Sequence, residues 1–166
     1  MRIAIDLDDT IVDTTKKIKE YLNKYNLEGF NNFEEKKQFY IKHIDSIFKE
    51  LDLKPHVKEV LDELSKNNEL YIITARGNYY SNNVKDLTKE LIKKNNLPIK
   101  EIYFDCFERG KAVMCDKLNI DLFIDDHVNN CLEVKKVGIE VLLFNDKYEG
   151  LNSVDNWLEV LKCVKE

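Results

Sequence analysis

Glycine and proline are scarce, five and two in 166 residues, and no low-complexity segment or internal repeat is present. A disordered chain is thereby excluded, and with 43% apolar and 34% charged residues the sequence reads as globular and helix-rich. No apolar run approaches the roughly 18 residues a membrane span needs, and no basic, apolar, small-residue leader precedes the first strand. A soluble, cytoplasmic protein with no membrane partner is expected. Cys106, Cys115, Cys131 and Cys163 lack C-x-x-C or metal-finger spacing. Reduced, mostly buried thiols are expected, and none has a His nearby in sequence to make it a nucleophile. Basic charge is in deficit too: the net charge is −5 and the pI about 5.4. That argues against polymeric nucleic acid as a partner, since phosphate backbones are held by clustered Lys and Arg. Small phosphorylated molecules stay open, because one local cation serves them. The length suits one domain with a small inserted subdomain, able to bury about two-thirds of its unfolded surface. Monomer and homodimer are both compatible with it.

The stretch Arg2-Ile3-Ala4-Ile5-Asp6-Leu7-Asp8-Asp9-Thr10 is a short branched apolar run that stops at three acids and a threonine. That is the pattern of a buried strand with a charged mouth. Side chains alternate along a strand, so Asp6 and Asp8 can aim at one small volume just beyond its end. Like charges about 4 Å apart repel by several kcal/mol at an effective dielectric of roughly 20. Such a pair needs a proton or a hard cation such as Mg²⁺. A solvated acidic turn is the plainer account of the same residues.

Ile18, Tyr21, Leu22 and Tyr25 then recur at helical spacing, with Thr14 or Thr15 as N-cap, and Ile44, Ile47, Phe48 and Leu51 mark a second helix. This helical piece, 14–54, is expected to be a small cap inserted after the first strand, leaving 1–13 and 55–166 as the core domain. Pro55 suits the first turn of a helix carrying Val57, Val60, Leu61 and Leu64. Leu70 to Thr74 is a second strand, Ser81 a cap for the helix through Val84, Leu87, Leu91 and Ile92, and Ile102 to Asp105 a third strand. Gly110-Lys111 opens a helix with Met114 and Leu118 inward. Leu122-Phe123-Ile124 runs into Asp125-Asp126, repeating the opening theme of apolar strand and paired acids. A helix through Val128, Cys131 and Leu132, a fifth strand Val141 to Phe144 and a closing helix through Val154, Trp157, Leu158 and Leu161 complete the chain. Five strands alternating with helices predict an α/β fold with a doubly wound, parallel, Rossmann-like sheet.

In open parallel sheets ligands bind beyond the carboxyl ends of the strands. The residues ending strands are Asp6, Asp8, Thr74, Asp125 and Asp126, with Lys111 at a helix start on the same edge. Their order and type resemble the four motifs of the haloacid-dehalogenase-like (HAD) phosphohydrolases: Asp-x-Asp, then Thr, then Lys, then Asp-Asp. The resemblance implies that Asp6 attacks phosphorus to form an aspartyl-phosphate and that Asp8 is the general acid/base. It also implies Mg²⁺ held by the Asp6 carboxylate, the main-chain carbonyl of Asp8 and a carboxylate of the last motif. Asp125 is preferred for that contact, with Asp126 second, directly or through water. Thr74 offers a hydroxyl to a phosphoryl oxygen, and Lys111 offsets charge on those oxygens, aided by its helix. Lys117 competes with Lys111 but falls near the helix end.

Ala75 and Arg76 follow Thr74 as further phosphate-binding candidates, with Asn78 and His127 near the same motifs. Singly, Thr74 reads as a strand-end hydroxyl, and Lys111 and Arg76 as solvated side chains. His43, His56 and His127 share no ligand spacing, and Gly110-Lys111 lacks the upstream Gly of a P-loop.

Ile5-Asp6-Leu7-Asp8-Asp9-Thr10-Ile11-Val12-Asp13, a small helical cap, Ile73-Thr74-Ala75-Arg76 and Phe123-Ile124-Asp125-Asp126 occur in the order found in the 5′(3′)-deoxyribonucleotidase branch. Asp9, where many relatives in the wider family carry Gly, also fits it. That resemblance implies dephosphorylation of nucleoside monophosphates. Cap aromatics, Tyr21, Tyr25, Phe30, Phe33, Phe39, Tyr40 and Phe48, could stack on a base or fill the cap's own core. Another small phosphate ester, a 3′-phosphate nucleic-acid end, or a non-catalytic phosphoryl-binding module are the rival readings. A receiver domain is disfavoured because its phosphorylated Asp ends the third strand.

Overall fold

Arg2–Ile5 (β1) lies at the centre of a parallel sheet because Ile3, Ala4 and Ile5 can be covered on both faces, and all three are fully buried. The structure, a computed structural model, describes residues 1–165; Glu166, the last residue of the expected core, lies outside them. β1 pairs with Glu69–Ile73 (β2) on one side and Leu122–Asp125 (β4) on the other. Glu101–Tyr103 (β3) extends one edge, and Glu140–Phe144 (β5) followed by Asn152–Val154 (β6) extends the other, giving the order β3-β2-β1-β4-β5-β6.

Six strands stand where five are expected. The segment Asn152-Ser153-Val154 has one apolar residue and no alternation to betray it, and its pairing comes from β5. Val154, expected in the closing helix, is therefore a strand residue opposite Phe144.

Alternation along the strands sorts the core into two layers. Ile3, Ile5, Leu70, Ile72, Leu122 and Ile124 face one side, where they meet Val57–Ser65 (α3), Val84–Lys94 (α4) and Trp157–Lys165 (α7). Ala4, Tyr71, Ile73, Phe123 and Leu143 face the other, against Glu108–Lys117 (α5) and Val128–Lys136 (α6). Each fully buried Ile or Leu contributes about 1.5–3 kcal/mol.

Thr14–Lys24 (α1) and Phe33–Lys49 (α2) come between β1 and α3 and add Tyr21, Phe39, Ile44, Ile47 and Phe48 to the first layer. α2 starts on a capping arrangement: Asn32 Oδ1 accepts from Glu35 N at 2.9 Å, and Glu35 Oε2 from Asn31 N at 2.9 Å.

Three helix starts differ from expectation. Asp13 stands at the N-cap of α1, since Thr14 and Thr15 donate their hydroxyls to Asp8 and Asp9. His56, at φ 66°, precedes α3, leaving Pro55 outside the helix. Asn83 holds the N-cap of α4, and Ser81 Oγ accepts from its backbone N–H. Among the described residues no helix is long and apolar enough to cross a membrane.

Candidate active site

All the strand-terminal acids gather at one edge because β1, β2 and β4 run parallel and adjacent. The chain turns sharply after β1. Asp9 adopts φ 59°, the left-handed region that glycine favours and Asp tolerates, and its carboxylate accepts from the Thr15 backbone N–H at 2.9 Å. Trp157, the one tryptophan, braces the same turn from α7 by donating its indole Nε1–H to the Thr10 carbonyl at 2.9 Å.

Lys111 lies at the centre. Its ammonium is 2.6 Å from Asp6 Oδ1 and 2.7 Å from Asp125 Oδ2, and all three side chains are buried. Burial works to lower the Lys111 pKa, but the two carboxylates outweigh it and hold the pKa above the ordinary lysine value. Asp6 is driven the other way: burial raises it, Lys111 opposes, and Asp125 and Asp8 add repulsion, so its carboxyl sits well above the usual range. Lys111 is the fourth residue of α5 rather than its opener, and the inward face carries buried Lys111, Ala112 and Cys115 together with half-buried Met114 and Leu118, which pack against the second layer as expected.

Asp125 is saturated. Besides Lys111, it accepts from the His127 backbone N–H at 2.8 Å and from Asn130 Nδ2 at 3.0 and 2.9 Å. Asp126 is not: its described side-chain partner is the Thr10 hydroxyl at 3.3 Å. Burial, then repulsion from Asp125 and Asp9, pushes its pKa up to about 6. Carboxylate oxygens of Asp6, Asp125 and Asp126 lie within 4.8 Å of one another. Three acids thus share one lysine, and the remaining charge fits a hard divalent cation bound through oxygen.

Thr74 follows β2. Its hydroxyl oxygen accepts from the Arg76 backbone N–H at 3.1 Å, which leaves the hydroxyl proton to be donated to a ligand. Ala75 lines a cavity of about 460 Å³ with Lys111, His127 and Asn130.

Arg76 does not join them as expected. Its guanidinium turns to Asp8, with Nη2 2.6 Å from Oδ1 and Nε 2.9 Å from Oδ2. A buried guanidinium needs such a partner. Burial works to raise the Asp8 pKa, but Arg76 and Thr14 outweigh it and hold the carboxyl below its ordinary value. Asn78 Oδ1 is occupied by the Lys85 backbone N–H, and His127 contributes its backbone N–H to Asp125.

Sequence reasoning missed Asn130 and Thr88, and it gave Thr10 and Thr14 no contact with Asp126 and Asp8. Asn130 follows the Asp-Asp motif at helical spacing and was the one detectable. His43 belongs to the aromatic cluster of Tyr21, Tyr25 and Phe39, which accounts for those rings as packing. Tyr40 packs edge-on against Phe39 of that cluster and stacks on Tyr80, ring centres 5.8 and 5.3 Å apart.

Comparison with known proteins identifies relatives of the chain and of its fold. Nucleotidase CA_C3379 of Clostridium acetobutylicum is 29% identical over 184 residues, spanning 99% of this chain and 93% of its own. The YfnB protein of Bacillus subtilis, solved with magnesium bound, superposes with a TM-score of 0.69 at 13% identity, covering 99% and 98% of the two chains. The haloacid dehalogenase-like family protein SP0104 of Streptococcus pneumoniae gives 0.64 at 18% identity, covering 98% and 97%. At such identities these two structures establish the fold. The model of the family described as 5′ nucleotidase, deoxy (pyrimidine), cytosolic type C, matches residues 1–165, so the chain belongs to that family of HAD-superfamily nucleotidases and is a phosphoric monoester hydrolase.

Proposed function

We propose that this enzyme is a Mg²⁺-dependent 5′(3′)-deoxyribonucleotidase that releases phosphate from nucleoside monophosphates through an aspartyl-phosphate on Asp6. The observation that carries the reading is the convergence of Asp6, Asp125 and Asp126 around Lys111 at the carboxyl ends of β1 and β4. Asp6 and Asp126 are the carboxylates to hold Mg²⁺, together with the Asp8 main-chain carbonyl that the family resemblance implies. Asp125, its oxygens already engaged by Lys111, His127 and Asn130, keeps the lysine in place rather than serving as the direct ligand first preferred for it. Bound there, Mg²⁺ supplies neutralisation of phosphoryl charge and keeps the Asp6 carboxylate ionised.

Asp6 then attacks phosphorus in line, while Lys111 and the Thr74 hydroxyl stabilise the equatorial oxygens in transfer. Asp8 enters this step in its protonated form, against the pull of Arg76 and Thr14 toward the carboxylate, gives that proton to the departing ester oxygen and is left ionised. In the second half-reaction it takes a proton from the water that cleaves the acyl phosphate. The segment 14–54, carrying α1 and α2, acts as a cap over the core formed by 1–13 and 55–166 and shapes the space for the nucleoside.

A panel of 5′- and 3′-deoxynucleoside monophosphates, ribonucleotides and sugar phosphates, assayed for phosphate release, tests this. Release is expected with Mg²⁺, none with EDTA, and none from Asp6→Asn. Sugar phosphates turned over ahead of every nucleotide would refute the substrate class, and undiminished activity in EDTA would refute the metal requirement.

A further inference from the structure

Arg76 is an unusual tenant of the space beside Asp8. Its side chain is 4% exposed, against 31% for Asp8, so the cation lies behind the carboxylate and not in front of it. Three elements pin the guanidinium. Nη1 donates to Thr88 Oγ1 of α4 at 3.0 Å, and that hydroxyl in turn donates to the Val84 carbonyl at 2.8 Å. The Phe48 ring of α2 covers its face, with the Cζ atom 3.7 Å from the ring centre. The backbone on either side is anchored as well: Arg76 N–H donates to Thr74 Oγ1, and Arg76 O accepts from Asp105 N–H at 2.9 Å.

The contacts on Asp8 are unequal. Oδ1 accepts from Arg76 Nη2 and Nε and from the Thr14 hydroxyl, whereas Oδ2 accepts from Nε alone. One oxygen is thereby an anchor with three donors, and the other, with one donor on a carboxylate that is 31% exposed, keeps a lone pair free. A planar fork held at three points fixes the plane of the carboxylate it pairs with.

We propose that Arg76 is a positioning residue for Asp8: it acts by holding that carboxylate in the plane from which Oδ2 meets the leaving oxygen, and it makes no contact with the phosphoryl group. The proposal rests on the reading of Asp8 as proton donor. It also makes α2 and α4 joint supports of the proton-transfer step, through Phe48 and Thr88.

The test uses leaving groups of different need. Release of a nucleoside requires a proton on the departing oxygen; release of p-nitrophenolate does not. In Arg76→Met, which keeps the length of the side chain under Phe48, first-turnover release of deoxynucleoside is expected to fall about 100-fold, the scale of general-acid catalysis. First-turnover release of p-nitrophenolate should stay within about threefold, and KM for either substrate should change little. Thr88→Val, which keeps Arg76 and removes one of its anchors, should show the same split at about fivefold, covering the case in which Arg76→Met folds poorly. Equal losses on both substrates with a raised KM would show Arg76 binding phosphate and overturn the proposal. Unchanged rates, or faster nucleoside release on freeing Asp8, would overturn it too. If the unmodified enzyme and Arg76→Met behaved alike and Asp8→Asn also spared nucleoside release, the role of Asp8 itself would fall, and this inference with it.

Discussion

Replacing Asp126 by Asn isolates the charge that the site carries in excess. Asp126 shares the mouth with Asp6 and Asp125, and Lys111 contacts the latter two only. Its pKa rises from 3.8 to about 6. A carboxyl raised on folding contributes stability that is complete below its unfolded pKa and is lost as pH climbs through the folded one. The cost at neutral pH, with no metal, is therefore up to about 3 kcal/mol for a two-unit shift, and solvent screening at this partly buried side chain reduces it to about 1–2 kcal/mol.

In EDTA at pH 7.5, Asp126→Asn should be the more stable protein, melting roughly 2–8 °C higher for a chain of this size. At pH 4 the two should nearly coincide. Mg²⁺ at 100 times its Kd should raise the stability of the unmodified protein by about 2.7 kcal/mol, and that gain should be mostly gone in the variant. Thermal and urea unfolding at the two pH values, each in EDTA and in Mg²⁺, read all four quantities. A variant less stable than its parent in EDTA at pH 7.5, or one that keeps the full Mg²⁺ gain, would refute both the crowding argument and the choice of Asp126 as ligand.

Lys111→Met removes the cation between Asp6 and Asp125, whose oxygens lie at 2.6 and 2.7 Å. Two buried acids are left unpaired, so urea unfolding at pH 7.5 should show a loss of about 3–5 kcal/mol, shrinking toward pH 4 as the acids protonate. Turnover should fall by about 10²–10³-fold, since stabilisation of the transferred oxygens goes with it; a fall under tenfold would contradict the placement. Trp157→Phe strips the Thr10 carbonyl of its indole donor in a fully packed position. A loss of about 1–3 kcal/mol is expected in urea melts followed by circular dichroism, with turnover reduced because Thr10 belongs to the turn that carries Asp8. A stability loss with unchanged turnover would separate that brace from the site.

How far the sequence foretold the site follows from what each part of it depends on. Asp6, Thr74 and Asp125 were legible because each ends an apolar run, and parallel strands bring run ends to one edge whatever the register. Which of Asp125 and Asp126 would be free was not legible. It turns on which of the two converging carboxylates is taken up by Lys111, His127 and Asn130, partners distant or local that the Asp-Asp pair itself does not name. The inward face of α5 was legible only in its apolar part. Pattern reading looks for apolar residues at helical spacing and so found Met114 and Leu118, which do pack against the second layer, but it gives no sign that Lys111 is buried on the same helix, a charge whose burial is offset by two acids from distant strands. Arg76 behaves in the same way: beside Thr74 it reads as a solvated or phosphate-facing cation, and the partners that turn it inward, Asp8, Phe48 and Thr88, lie 68, 28 and 12 positions away in sequence. In this protein the charged positions that break the apolar pattern, Asp6, Arg76, Lys111 and Asp125, are buried against their opposite charges, because a charge is kept out of water only where an opposite charge is built to receive it.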